Sequence, residues 1–260
     1  MRIGIVNLMH DKVATQARFA QRLQQWQPAI ELTYFYPVDH YRNRPVPASV
    51  AAISQPLDLA TVATMDAVIV TGAPVERLDF EAVTYYQELT RLFDFLAQRH
   101  LPTLFVCWGA MAALHHFFGI EKLSLTHKYF GGYSQRIQQP TPLLADLPRH
   151  FIAPHARYAE VNHDQVNQVA ALAVNATTTT DELFLLTQQD QPFSYLFAHL
   201  EYDGPALQQE FIREQAAWGG LPAQPVNYDL ATGQPLFSWE TTSQRFFKNW
   251  LTQVQITEEI

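Results

Sequence analysis

The sequence predicts an α/β fold in three layers, a mainly parallel β-sheet covered by helices on both faces. Three observations predict it. Short apolar, β-branched runs alternate with helical patterns through the first half of the chain, as parallel strands joined by crossover helices do. Those runs lack the strict polar alternation of a sheet with one wet face, so both faces are expected to be covered. With 48% hydrophobic and 16% charged side chains, 260 residues can bury a sizeable core without disulfides. One domain spanning residues 1–260 is expected, because neither linker composition nor an internal repeat divides the chain.

Taken in order, residues 2–8 read as the first strand and residues 11–26 as a helix with Val13, Ala17, Ala20 and Leu23 turned inward. Residues 31–36 form the second strand. Residues 37–63 hold Pro37, Pro45, Pro47 and Pro56 and little periodicity, which predicts a long connection with at most a short helix. A connection of that length in a compact domain is expected to border a site. Residues 67–71 form the third strand. In the helix at residues 84–98, Thr84 and Gln87 have capping-box spacing, and Tyr85, Leu89, Leu92, Phe93 and Leu96 fall on one buried stripe. Residues 103–107 make the fourth strand. Residues 129–200 are richer in short strands and breakers, and residues 175–181, with four threonines, read as a turn or hairpin tip. Helical patterns return at residues 204–218 and 238–254.

A net charge of −8 and a pI near 5.6 leave no global attraction to nucleic acid or an anionic membrane. No apolar window approaches the ~18 residues of a membrane span. The only cysteine, Cys107, excludes an internal disulfide and an all-cysteine metal site. With no signal-peptide pattern ahead of the first strand, a reducing, cytoplasmic setting is expected. No zinc spacing such as His-Glu-x-x-His occurs, so no metal is expected.

Cys107 lies in Leu104-Phe105-Val106-Cys107-Trp108-Gly109-Ala110, between a strand-like and a helical run. This is the setting of a nucleophile elbow, where the backbone N–H after the nucleophile and the positive end of the next helix face one pocket. A small buried hydrophobe is the plainer reading of such a cysteine. Phe197-Ala198-His199-Leu200-Glu201-Tyr202-Asp203 adds weight, because in extended chain Glu201 and His199 share a face. Glu201 would then orient the imidazole of His199 and leave its other nitrogen free to take a proton. A third strand end runs into Thr71-Gly72-Ala73-Pro74, and an N–H there with that of Trp108 would form an oxyanion hole. Strand ends converge where ligands bind in this class of fold. His10, His100, His115 and His116 show no comparable partner pattern.

With these residues in view, the chain resembles the MetA-type homoserine O-acyltransferases. The resemblance covers nearly the whole chain. It rests on Asn7-Leu8-Met9, Val70-Thr71-Gly72-Ala73-Pro74-Val75-Glu76, Phe105-Val106-Cys107-Trp108-Gly109, Ala153-Pro154-His155-Ala156-Arg157-Tyr158 and His199-Leu200-Glu201-Tyr202-Asp203. It implies a flavodoxin-like, class I glutamine-amidotransferase-like fold and a ping-pong reaction. Cys107 would take an acyl group from acyl-CoA and pass it to an amino-acid hydroxyl, with His199 as general base supported by Glu201. It also implies Lys128 and Arg213 as substrate-binding cations, Glu76 as the residue selecting acetyl over succinyl, and a homodimer.

Acetyl-CoA is the expected donor, because an acidic Glu76 repels the second carboxylate of a succinyl group. The sequence departs from the family at Ala156, where the motif carries a serine that contacts the amino acid. The lost hydroxyl makes L-serine an acceptor to weigh against L-homoserine, in cysteine or methionine biosynthesis respectively. Met9-His10-Asp11-Lys12 replaces Met-Pro-Lys-Lys, His-Leu-Glu replaces His-Pro-Glu, and the N-terminal extension common in the family is not matched. Two rival activities use the same residues: O-succinyl transfer and glutaminase-type amide hydrolysis. Phe105, where glutaminases carry a glycine two residues before the cysteine, argues against the second.

Overall fold

The computed structural model describes residues 1–218, 225–229 and 231–258. In chain order the first half contains β1 (Arg2–Val6), α1 (Lys12–Gln24), β2 (Glu31–Tyr36), α2 (Ala48–Ala51), β3 (Gln55–Pro56), α3 (Leu59–Val62), β4 (Ala67–Val70), α4 (Tyr86–Gln98), β5 (Thr103–Val106) and α5 (Trp108–Phe118). The second half contains β6 (Lys122–Ile137), β7 (His150–Val161), α6 (His163–Gln168), β8 (Leu172–Thr178), β9 (Leu183–Gln188), β10 (Phe193–Leu196), α7 (Gly204–Trp218), the short pair β11 (Tyr228–Asp229) and β12 (Gln234–Pro235), and α8 (Glu240–Glu258).

Among the described residues ten strands form one sheet in the order β3-β2-β1-β4-β5-β10-β9-β8-β6-β7. From β3 to β10 all neighbours are parallel; from β10 to β7 all are antiparallel. The central strands are apolar throughout because they serve two cores. Ile3, Ile5, Ile69, Leu104 and Val106 meet Phe19 and Leu23 of α1 and Phe246 and Trp250 of α8. Val6, Val68, Val70 and Phe105 meet Leu89, Leu92 and Phe93 of α4 and Met111 and Leu114 of α5. Alternate residues of one strand therefore go to opposite helix layers, each fully buried large side chain contributing about 1.5–3 kcal/mol. This is the predicted three-layer sandwich.

Several local expectations are corrected. In α1 the inner stripe is Lys12, Thr15, Phe19, Arg22 and Leu23, whereas Val13 is 59% exposed and Ala17 faces solvent. Two long cations displaced the predicted apolar residues because their ends find backbone carbonyls: Lys12 Nζ donates to Asn7 and Met9, and Arg22 to Tyr202. The Thr84–Gln87 capping box does not form. Tyr85 caps α4 without a side-chain bond, while Glu88 of the first turn accepts the N–H groups of Val38 and Asp39 at 2.9 and 2.8 Å. The buried stripe of α4 is as predicted. Residues 37–63 contain α2, α3 and the edge strand β3, where Pro56 is tolerated because no further strand pairs beyond it. Asn175–Thr178 complete β8, paired with β6 and β9, so the tip begins only at Thr179.

Candidate active site

The site stands on three adjacent strand ends. At the end of β5 the chain turns sharply into α5, and Cys107 takes φ 49° and ψ −114°, a conformation that costs a non-glycine residue about 1–3 kcal/mol. Its N–H donates to Leu196 O at 2.7 Å, which locks the elbow to the end of β10. Trp108 opens α5, so its N–H belongs to the first turn, where N–H groups lack partners inside the helix. Gly109 lets this turn close on β4: a Cβ there would lie 2.7 Å from Thr71 O and 2.9 Å from Val70 O.

His199 and Glu201 follow β10, but in a turn rather than an extended segment, closed by Tyr202 N–H to His199 O at 3.0 Å. Within that turn His199 Nδ1 and Glu201 Oε1 are 2.7 Å apart and both residues are buried. The other ring nitrogen is left for Cys107, whose side chain interacts with the imidazole. Burial opposes a charge on His199, yet the Glu201 carboxylate and then Cys107 outweigh it and hold the imidazolium well above its ordinary range. Four contacts fix the turn: His199 N–H to Pro154 O at 2.9 Å, Ser243 Oγ to Leu200 O, and Arg22 and Trp239 Nε1 to Tyr202 O at 3.2 and 2.9 Å. Fully buried Arg157 adds a bond to Phe197 O at 3.0 Å.

Gly72, after β4, packs against both groups: a Cβ on it would lie 3.2 Å from Cys107 Cβ and 3.2 Å from His199 Cε1. The loop continues to Glu76, which with Met9, His10, Cys107, Ala156 and His199 lines a narrow pocket of about 20 Å³. Burial, ahead of all other causes, pushes the Glu76 carboxyl up. Ala156, on β7, is buried in the same wall.

Lys128 lies where the β6–β7 ladder is interrupted between Ser124 and Tyr129, an irregularity that re-aims the side chain. Its ammonium is buried between Glu210 and Glu214 of α7. Arg213, with a side chain 45% exposed, reaches within 3.6 Å of Glu210. Glu210 also accepts Tyr202 OH at 2.8 Å, and Tyr202 stacks on His199 at 4.6 Å between ring centres. Burial raises the Glu210 carboxyl, but Lys128 and His199 more than reverse it, leaving the group below its ordinary range.

Of the predicted site residues, Cys107, His199, Glu76, Ala156 and Arg213 line this pocket and Lys128 the adjoining groove; Glu201 stands behind His199, Gly72 packs against Cys107 and His199, and the Trp108 ring turns into the core. Three residues were missed. His10 lines the pocket, held below its ordinary pKa by burial and then by Arg213, although the sequence showed no partner for it. Tyr202 and Glu210 complete the wall. The spacing of Glu210, Arg213 and Glu214 on one helix face was the available signal. His115 and His116 sit elsewhere, 3.4 Å from Glu81 and 2.7 Å from Asp94.

A cysteine at a strained strand-to-helix elbow, facing a His–Glu pair from the neighbouring strand end, defines a class: the glutamine-amidotransferase-like α/β sandwiches. The fold is similar to a glutamine amidotransferase from Thermotoga maritima, with a TM-score of 0.68 at 12% identity over 98% of each chain. The chain belongs to the homoserine O-succinyltransferase family, whose sequence model matches residues 1–259. It is 42% identical over 257 residues to a serine O-acetyltransferase of Lactobacillus acidophilus, covering 98% of this chain and 96% of the relative. It is 34% identical over 256 residues to a homoserine O-acetyltransferase of Synechococcus sp., covering 96% and 85%. The protein is thus a member of an acyltransferase family. Among the described residues no helix is long and apolar enough to cross a membrane.

Proposed function

We propose that this protein transfers an acetyl group from acetyl-CoA to the hydroxyl of L-serine through a thioester on Cys107. The observation that carries the reading is the pocket itself, lined by Cys107, His199, Glu76 and Ala156, with Glu201 at 2.7 Å from the far side of His199. In the first half-reaction Cys107 sulfur attacks the acetyl carbonyl carbon, and the bond from that carbon to the CoA sulfur breaks. The departing CoA thiolate takes the proton of the His199 imidazolium. In the second, the serine hydroxyl gives its proton to His199 as its oxygen attacks the thioester, and Cys107 leaves as thiolate with the imidazolium restored. The N–H groups of Trp108 and Gly72 receive the oxyanion in both steps.

Arg213 suits the acceptor's carboxylate and Glu210 its ammonium, since both line the pocket and stand 3.6 Å apart. Glu76 places an acidic group where the distal carboxylate of a succinyl donor would lie. Ala156 withholds the hydroxyl that serves homoserine in the family, and the relative at 42% identity is named for serine. The test is acetyl-CoA consumption with L-serine and L-homoserine in parallel, with succinyl-CoA as donor control and Cys107→Ala as blank. Cys107-dependent turnover favouring serine and acetyl-CoA is expected; turnover favouring homoserine overturns the acceptor, and none with either overturns acyl transfer.

A further inference from the structure

Two grooves open from the narrow Cys107 pocket, one on each side of the Pro74–Val75 loop. The first encloses about 440 Å³ and shares Met9, His10 and Pro74 with the pocket, so it adjoins the space that Cys107 lines. The second encloses about 580 Å³ and shares Pro74, Glu76, Glu210 and Arg213. Their charges differ. In the second groove three carboxylates, Glu76, Glu210 and Glu214, face the space together with three cations, Arg77, Lys128 and Arg213; Lys128 is held by Glu210 and Glu214, and Arg213 lies 3.6 Å from Glu210. A polyphosphate entering there meets three carboxylates among cations two of which already stand beside them, so the second groove offers less net attraction to it than the first.

The first groove has apolar walls from Leu8, Pro37, Val50 and Tyr85, and at its rim Arg44 and Tyr41. The Arg44 guanidinium lies over the Tyr41 ring, 5.2 Å from its centre, and bonds only uncharged partners, the His40 carbonyl and the His40 ring. Burial, then Arg44 itself, lowers the His40 pKa to about 4, so that ring is neutral at pH 7. Among the described residues no carboxylate lies within ion-pair distance of Arg44, whereas Arg42 and Arg91 are both paired with Asp39. Lys12, deeper in the same groove, likewise bonds only carbonyls. On a chain of net charge −8, this groove sets Arg44 and Lys12, neither paired with a described carboxylate, beside apolar walls that adjoin the Cys107 pocket.

We propose that this groove is the seat of the acyl donor, the pantetheine arm lying against Leu8, Pro37 and Val50 and the nucleotide phosphates binding Arg44. The second groove is left to the amino acid. The assignment rests on the acyl-CoA reading given above and adds where that donor binds. A charged guanidinium supported by an aromatic face suits phosphate oxygens, and an exposed one can reorient to meet them.

The experiment compares wild type with Arg44→Glu, a surface change that leaves the core untouched. Turnover is measured with acetyl-CoA and with S-acetylpantetheine, which lacks the nucleotide phosphates, and binding of CoA is measured by calorimetry without turnover. Arg44→Glu is expected to raise KM for acetyl-CoA and weaken CoA binding on the order of tenfold or more. With S-acetylpantetheine its kcat/KM is expected to stay at the wild-type value, as is the KM for the acceptor. Equal effects on both donors, or none on either, overturn the groove assignment while wild-type turnover with acetyl-CoA keeps the acyltransferase reading. If wild type neither turns over acetyl-CoA nor binds CoA, that reading falls, and the groove assignment with it.

Discussion

The alpha carbon of Gly109 stands so close to Thr71 that an added methyl group would lie 2.7 Å from its carbonyl oxygen, and 2.9 Å from that of Val70. Those atoms are backbone and cannot swing aside, so the first turn of α5 must withdraw from β4. Gly109→Ala is expected to cost about 1–3 kcal/mol as an overpacked contact. Because Cys107 and Gly72 move apart with it, turnover should fall further than stability predicts. Urea denaturation and kcat measured on the same sample separate the two effects.

Glu201 is the largest of the influences that raise the His199 pKa. A histidine whose native pKa lies above its unfolded value of about 6.5 stabilises the fold fully below that pH, and loses the contribution as pH rises through the native value. Glu201→Gln lowers the native value and flattens that dependence. The gap in denaturation midpoint between wild type and Glu201→Gln is therefore expected to be wider at pH 6 than at pH 9. A gap of constant size would show that Glu201 does not act through the imidazolium.

Burial keeps the Glu76 carboxyl above its ordinary range, so its charge is absent in acid and grows as pH rises through the raised value. Discrimination against succinyl-CoA should grow in the same direction. The ratio of kcat/KM for acetyl-CoA to that for succinyl-CoA is expected to climb with pH in wild type. In Glu76→Gly it should be smaller and pH-independent, which a pair of donor titrations measures.

Ala156 is buried in the pocket wall, so Ala156→Ser adds a hydroxyl that only a bound acceptor, or its neighbours in the wall, can satisfy. The preference for serine over homoserine is expected to shift toward homoserine by a factor on the order of ten. Parallel initial rates with the two acceptors report it. An unchanged ratio would place acceptor choice elsewhere in the pocket.

Much of this site was legible without the fold. Cys107 before Trp108-Gly109, the His199–Glu201 spacing and the Gly72–Glu76 loop are local patterns, and each sits at a strand end found within one residue of its predicted place or, for His199, three residues past β10. Less legible was the manner of contact. Glu201 meets His199 through a turn, where extended backbone was expected, and the same side-chain pair results from either conformation.

What the sequence by itself determined is the sandwich and the strand ends that carry Cys107, Gly72 and His199, because apolar runs of strand length and a cysteine between strand and helix patterns are properties of short segments. Only the tertiary structure decided which groups join them. His10, Tyr202 and Glu210 come to the Cys107 pocket from the loop after β1, the turn after β10 and α7, brought together by strand order across the sheet rather than by nearness in the chain. The buried faces of α1 were decided in the same way. Lys12 and Arg22 turn inward because distant or irregular backbone offers carbonyls to their charges, a partner that no count of apolar residues along a helix can register.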